Sequence, residues 1–239
     1  MVINAEGLHF QVLNDALKSS KDSNIKITNC LGHRYIGSGV TNKNIDIYGT
    51  PGNALGSYLA GSTINVYGNA QDATGDTMDS GEIIIHGNCG DTTGYGMRGG
   101  KIFIHGNAGY RVGIHMKAYE EHQPTIVVGG CVGDFLGEYQ AGGRIVILGL
   151  NNNGKIPVGD FCGTGIHGGA IYIRSNELPD LPAQVAASVA TDDDLADIMS
   201  DIEAFCEYFN ESKEEILKGK FYKLVANSKN PYKRLYTHN

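Results

Sequence analysis

The chain has 239 residues, with 26 acidic against 19 basic side chains and a net charge of −7, a balance that argues against nucleic acid or an anionic membrane surface as its main partner. No run of about 18 apolar residues is present, so no membrane span is expected. The N-terminus shows no basic stretch leading into an apolar one, so no secretion signal is expected either, and the chain reads as cytoplasmic. Cysteines stand at 30, 89, 131, 162 and 206 without a CxxC pair, which disfavours a disulfide framework and a zinc or iron–sulfur site. The composition is unusual in glycine, with 34 residues. That is about twice the ordinary share. No collagen period accompanies them, so they are expected to mark many tight turns.

Residues 5–20 have the pattern of a short helix. From residue 25 the sequence repeats. Short β-branched runs end in Gly49, Gly68, Gly87 and Gly106, each 19 residues after the last. Similar runs at 25–29, 125–129, 145–149 and 170–174 complete a set of eight. A second glycine column precedes the strands: Gly61, Gly81, Gly100, Gly143 and Gly169. An asparagine column follows them: Asn53, Asn69, Asn88 and Asn107. Both residue types tolerate positive φ, so both columns are expected at corners. Valine at Gly100 or Gly143 is expected to misfold such a corner. Small residues come next, at Ala54, Ala70, Cys89, Ala108 and Cys131.

One strand in register per repeat predicts stacked coils, with each strand pairing to its equivalent in the next. The expected fold is mainly β: a single-stranded parallel β-helix of about seven coils, rising ~4.8 Å per coil. Alternation places Ile45 and Ile47, Ile64 and Val66, Ile83 and Ile85, and Ile102 and Ile104 inside. Asp46 and Tyr48, Asn65 and Tyr67, Ile84 and His86, and Phe103 and His105 then face outward. That outer face is unusually apolar, so a terminal segment or another subunit is expected to cover it.

Pro179 and Pro182 mark the end of the repeat. Thr191 to Asp194 offers a cap and an acidic first turn for a helix carrying Ile198, Ile202, Phe205 and Phe209 at helical spacing. Ser212 and Glu215 form a capping box for a second, shorter helix. The tail from Phe221 onward is basic and aromatic. The expected organisation is an N-terminal helical segment at 1–24, the β-helix at 25–175 and a helical extension or cap at 176–239.

Chemistry-bearing clusters are sparse. His86 and His105 lie one coil apart and outward, close enough to share a metal, but no third ligand continues their column. Asp134 and Glu138 form an acidic pair in a glycine-rich turn, without the charged groove that acid–base work on a sugar requires. The stretch Gly94 to Gly100 lacks the lysine and the strand–loop–helix setting of a phosphate loop. No catalytic, cofactor or metal residue is assigned, and the residues read as a scaffold.

The repeated glycine spacing, the block from Gly133 to Gly143 leading into Arg144 to Gly149, and Asn29 to Gly37 resemble the C-terminal GXGXG domain of the glutamate synthase large subunit. The resemblance spans about residues 25–175. It implies a right-handed parallel β-helix without catalytic residues, standing free as in the split form of that enzyme. Its implied partners are a glutamine amidotransferase subunit and a synthase subunit that carries FMN and an iron–sulfur cluster. The implied role is to position those subunits for ammonia transfer and glutamate formation from glutamine and 2-oxoglutarate. Similar free-standing chains serve as scaffold subunits of methylamine–glutamate N-methyltransferase and of formylmethanofuran dehydrogenase. The candidate turn and interface residues are Gly61, Gly81, Gly100, Gly133, Asp134, Gly137, Glu138, Tyr139, Gly142, Gly143 and Gly169. Without partners, the apolar outer face is expected to favour a homo-oligomer.

Overall fold

The structure is a computed structural model and describes residues 1–227. Its strands are β1 (Val2–Asn4), β2 (Asn24–Leu31), β3 (Asn44–Thr50), β4 (Ala60–Tyr67), β5 (Ser80–Ile85), β6 (Lys101–Ile104), β7 (Thr125–Val128), β8 (Ala141–Ile147), β9 (Gly168–Arg174), β10 (Val185–Val189) and β11 (Phe221–Ala226). Helices α1 (Phe10–Ser19), α2 (Asp192–Phe209) and α3 (Lys213–Leu217) complete the described elements. All eleven strands join one sheet in the order β1 to β9, then β11, then β10. Pairing is parallel and in chain order from β1 to β9, and antiparallel for β11 and β10.

The repeat positions β2 to β9. Ile45 pairs with Ile64, Ile64 with Ile83, and Ile83 with Ile102, so the 19-residue step is the register itself. The longer step between β2 and β3 is taken up by an irregularity between Ile27 and Cys30, where Asn29 adopts φ +55°. The inward isoleucines are completely buried, together with Ile126, Ile145, Ile147, Ile171 and Ile173. Leu13 and Leu17 of α1 join this core beside Ile3 and Ile25.

The connections stack as well as the strands. The Ala54 N–H donates to Asp72 O (2.9 Å), Ala73 N–H to Asp91 O (2.9 Å), Thr92 N–H to Tyr110 O (2.8 Å) and Arg111 N–H to Asp134 O (2.9 Å). Side chains reinforce these rungs. Asn69 Oδ1 accepts from Asn88 N–H, Asn88 Oδ1 from Asn107 N–H, and Asn107 Oδ1 from Cys131 N–H, each at 2.8 Å. A second file runs through aspartates. Asp72 Oδ1 accepts from Asp91 N–H, Asp91 Oδ1 from Tyr110 N–H, and Asp134 Oδ1 from Asp160 N–H.

These ladders correct the asparagine column. Asn69, Asn88 and Asn107 are absent from the positive-φ residues, and their role is to accept a neighbour's N–H. Asn53 and Ala54 do not share their column. The Ala54 N–H is received by Asp72, which places the pair in register with Asp72 and Ala73, while Ala70 N–H donates to Asn88 O. Replacing Asn88 by alanine orphans one exposed backbone donor and should cost about 1 kcal/mol. Asn69, Asn88 and Asn107 changed together should cost about three times that, as measured by urea unfolding.

The apolar outer face is covered from β5 to β9 by a terminal segment. Ile198, Ile202 and Phe205 of α2 pack on Ile84, Phe103, Val127, Val146 and Tyr172 in a second buried cluster. Thr191 and Asp194 form a full capping box at the start of α2, and Asn210 ends it in the left-handed region. At α3, Ser212 Oγ accepts from Glu215 N–H and donates to Glu214, but the box is not reciprocal, because the Glu215 carboxylate pairs with Lys218 instead of the Ser212 N–H. The extension is not purely helical. β11 pairs with β9, and β10 lies outside it. The tail beyond residue 227 lies outside the described residues.

Candidate functional site

Each of the connections from β2 to β9 carries the same backbone device. Three residues two apart adopt positive φ, as in Arg111, Gly113 and His115, or Phe135, Gly137 and Tyr139. The same triplet occurs at 35–39, 54–58, 73–77, 92–96 and 161–165, which makes seven among the described residues. Its centre is always glycine. A Cβ on Gly75, Gly94, Gly113 or Gly137 would sit 2.4–2.6 Å from an inward isoleucine Cδ1, so only glycine fits over the core. The outer two positions point away from the core and accept many residue types.

Those outer positions and their neighbours build an aromatic ridge. Tyr35, Tyr58, Tyr95, Tyr110, Tyr139 and Phe161 are between 36% and 59% exposed. Phe135 stacks on Phe161 at 4.9 Å, and His115 on Tyr139 at 5.2 Å. The Arg111 guanidinium lies 4.8 Å over the Phe135 ring and donates from Nε to Glu138 Oε2 at 3.0 Å. Stacked aromatics and a fixed arginine present rigid contact area at low entropic cost, the makeup of interface anchors.

The residues singled out from the sequence fall around this ridge in different roles. Asp134 is a ladder rung, Glu138 holds Arg111, and Tyr139 is a left-handed corner at φ +53°. Gly61, Gly81, Gly100, Gly143 and Gly169 all have positive φ, between +75° and +96°. Gly133 and Gly142 do not. They are glycine because a Cβ would meet the Tyr110 ring at 3.0 Å and Ala118 N at 2.4 Å. The sequence reading missed Arg111, His115, Phe135 and Phe161. Their spacing around the central glycine was the available signal, but their side chains differ from repeat to repeat.

A second aromatic file lies on the outer sheet face that α2 leaves open. Tyr48 stacks on Tyr67 at 4.7 Å, and Tyr67 on His86 at 4.8 Å, with Lys26 Nζ 4.5 Å over the Tyr48 ring. Phe209 stacks on His105 and meets His86 edge-on. Burial first, and then the neighbouring His105, hold the His86 imidazole below its ordinary pKa. His105 is joined to Glu211 at 2.9 Å. Among the described residues no group of three or more His, Cys, Asp or Glu is placed to hold a metal.

The thiols are buried rather than poised. Burial pushes Cys30 up to about 11 and Cys162 up to about 12. A thiol that stays protonated at neutral pH is a poor nucleophile. Cys131 and Cys206 are only half-buried, and burial raises their pKa values too.

The architecture and the ridge define a repeat protein whose side chains are spent on stacking and on an aromatic outer surface. The chain belongs to the GXGXG motif family, whose model matches residues 14–229. It is 45% identical over 253 aligned positions to an uncharacterised protein of Methanocaldococcus jannaschii, covering 99% of this chain and 96% of that one. Its fold is similar to that of a chain in the crystal structure of the formyltransferase/hydrolase complex FhcABCD from Methylorubrum extorquens, determined with methylofuran. The TM-score is 0.67 at 18% identity, over 95% of this chain and 93% of that chain.

Proposed function

We propose that this chain is a non-catalytic scaffold that holds partner subunits of an enzyme complex against its aromatic ridge. The ridge carries the reading. Its anchors sit on corners fixed by backbone rungs from neighbouring repeats, the rigid mounting that a positioning surface needs. We read the stacked repeats as a right-handed parallel β-helix over residues 25–175, with 1–24 and 176–239 closing its ends. In-register parallel neighbours and the strong preference for right-handed crossovers support it.

The whole-length likeness to a chain of a formyltransferase/hydrolase complex favours membership of a formyl-transferring assembly, in the manner of the scaffold chain of formylmethanofuran dehydrogenase. The second reading is a glutamate synthase-like complex, favoured by the block from Gly133 to Gly149. There the amidotransferase subunit and the FMN and iron–sulfur synthase subunit supply all cofactors and chemistry. Methylamine–glutamate N-methyltransferase uses the same kind of scaffold. In each reading the chain works in the cytoplasm, without nucleic acid or membrane.

The test is a pull-down of the tagged full chain from its native host, with an absorbance spectrum of the eluate. Flavin and iron–sulfur absorption with an amidotransferase-sized chain selects the glutamate synthase reading. Co-purifying formyl-transfer activity selects the first. A chain that emerges alone overturns the scaffold role. Arg111→Ala with Phe161→Ala should weaken capture by roughly 30-fold, the scale of an interface anchor. The melting temperature should change little, because both side chains are largely outside the core.

A further inference from the structure

The loop after β8, the end of β9 and the turn from α3 into β11 meet around a pocket of about 120 Å³. Its wall includes Asn152, Lys155, Arg174, Ser175, Asn176 and Lys220, with three cations and no acid. The chain as a whole carries −7. Among the described residues, the ion pairs of the protein do not include Lys155, Arg174 or Lys220. Gathering like charges without a counter-ion is unfavourable, and a bound anion relieves it.

Arg174 is held in place as a fixed donor. Its Nε donates to Ile216 O at 2.9 Å, its Nη1 to Leu148 O at 3.2 Å and its Nη2 to Glu215 O at 3.4 Å. A guanidinium has five N–H groups, so these three bonds orient it and leave one N–H on each Nη. Gly219 makes room for it, since a Cβ there would lie 2.2 Å from Arg174 Nε. Lys220 Nζ donates to Tyr222 Oη at 2.6 Å and lies 4.4 Å from the ring centroid. The Ser175 oxygen accepts from Glu177 N–H, which leaves its hydroxyl proton to donate elsewhere.

We propose that this pocket binds an oxyanion, the phosphate or carboxylate group of a small molecule, with Arg174 as the oriented donor and Lys155 and Lys220 closing over it. The proposal rests on this chain's own side chains and is independent of the scaffold reading.

Titration calorimetry of the full chain tests it, using inorganic phosphate and, separately, malonate, each against chloride at matched ionic strength. Saturable binding of phosphate or malonate, with none of chloride, is expected, and the anion that binds identifies the group. Lys155→Gln with Lys220→Gln should weaken that binding at least ~10-fold, because charge-assisted hydrogen bonds are lost. Both lysines are exposed, so the unliganded variant should melt as wild type does. Sulfate should also displace whichever of the two anions binds, a check that needs no variant. Failure of both anions to saturate, failure of sulfate to compete, or unchanged binding by the double variant (an adventitious ion only) would overturn the proposal.

Discussion

Asp201→Ala is expected to lower the unfolding free energy by about 3 kcal/mol. Asp201 is completely buried on α2, where it meets two cations from the sheet. Lys101 Nζ donates to its Oδ1 at 2.7 Å. Arg144 Nη2 lies 3.1 Å from Oδ2, a charge contact outside hydrogen-bond geometry. Removing one partner of a buried ion pair typically costs about 3–5 kcal/mol, because the other charge is left uncompensated. Here the lower end applies. Lys101 and Arg144 keep 34% and 30% of their side-chain surface exposed and can turn to water. The loss should localise to α2, so amide exchange in that helix should rise before exchange in β6 or β8. Replacing all three by apolar residues, Asp201→Leu with Lys101→Met and Arg144→Met, should recover at least half of the loss. Urea unfolding of the single and triple variants checks both statements. A single variant as stable as wild type would show that α2 is held by its apolar contacts alone.

Detachment of α2 would also uncover Ile84, Phe103, Val127, Val146 and Tyr172 together. A contiguous apolar face of that kind drives association. The covering helix therefore shields the apolar outer face over the strands it spans. The part it leaves open, Tyr48 and Tyr67, carries hydroxyls and a lysine overhead and tolerates water better.

The 19-residue glycine step was enough to place β3 to β6 and to assign their inward residues, because one register relation is repeated, and similar runs at unequal steps placed β2, β7, β8 and β9. The same reasoning found the capped helix α2 from Thr191, Asp194 and the apolar spacing. It failed where a residue's role is set by a neighbour in space. Asn53 lies four residues past Gly49, where Asn69, Asn88 and Asn107 lie one past their glycines, and its register partner is Asp72. β11 reads as a basic aromatic tail, and it is a strand because β9 offers an unpaired edge. β1 is three residues long and pairs with β2, too short to leave a pattern. The ridge was hidden for a related reason. Conformation at its outer corners repeats in every connection from β2 to β9, but Ala54, Thr92, Arg111 and Phe161 share no side-chain chemistry.

Gly143→Ala and Gly32→Ala separate two reasons for glycine. Both residues have nearly the same positive φ, +75° and +72°. Alanine in the left-handed region costs roughly 1–2 kcal/mol. At Gly32 nothing lies within 4 Å of the added Cβ, so that should be the whole effect. At Gly143 the Cβ would sit 2.4 Å from Pro124 O and 2.7 Å from Pro124 Cγ. That carbonyl accepts from Arg144 N–H at 2.9 Å and closes a rung between adjacent repeats. Relieving the clash must open the rung, so Gly143→Ala should cost roughly 3–5 kcal/mol, from strain, overpacking and the lost bond together. Gly143→Val, with a branched side chain at positive φ, should not give a folded chain at all. Thermal and urea unfolding read the difference, and equal losses for the two alanine variants would mean that the rung at Pro124 yields to the added methyl without cost. Displacing one rung also moves the repeats on either side, and the anchors of the ridge lie on successive repeats. Gly143→Ala should therefore weaken partner capture even at temperatures where it remains folded, while Gly32→Ala should not.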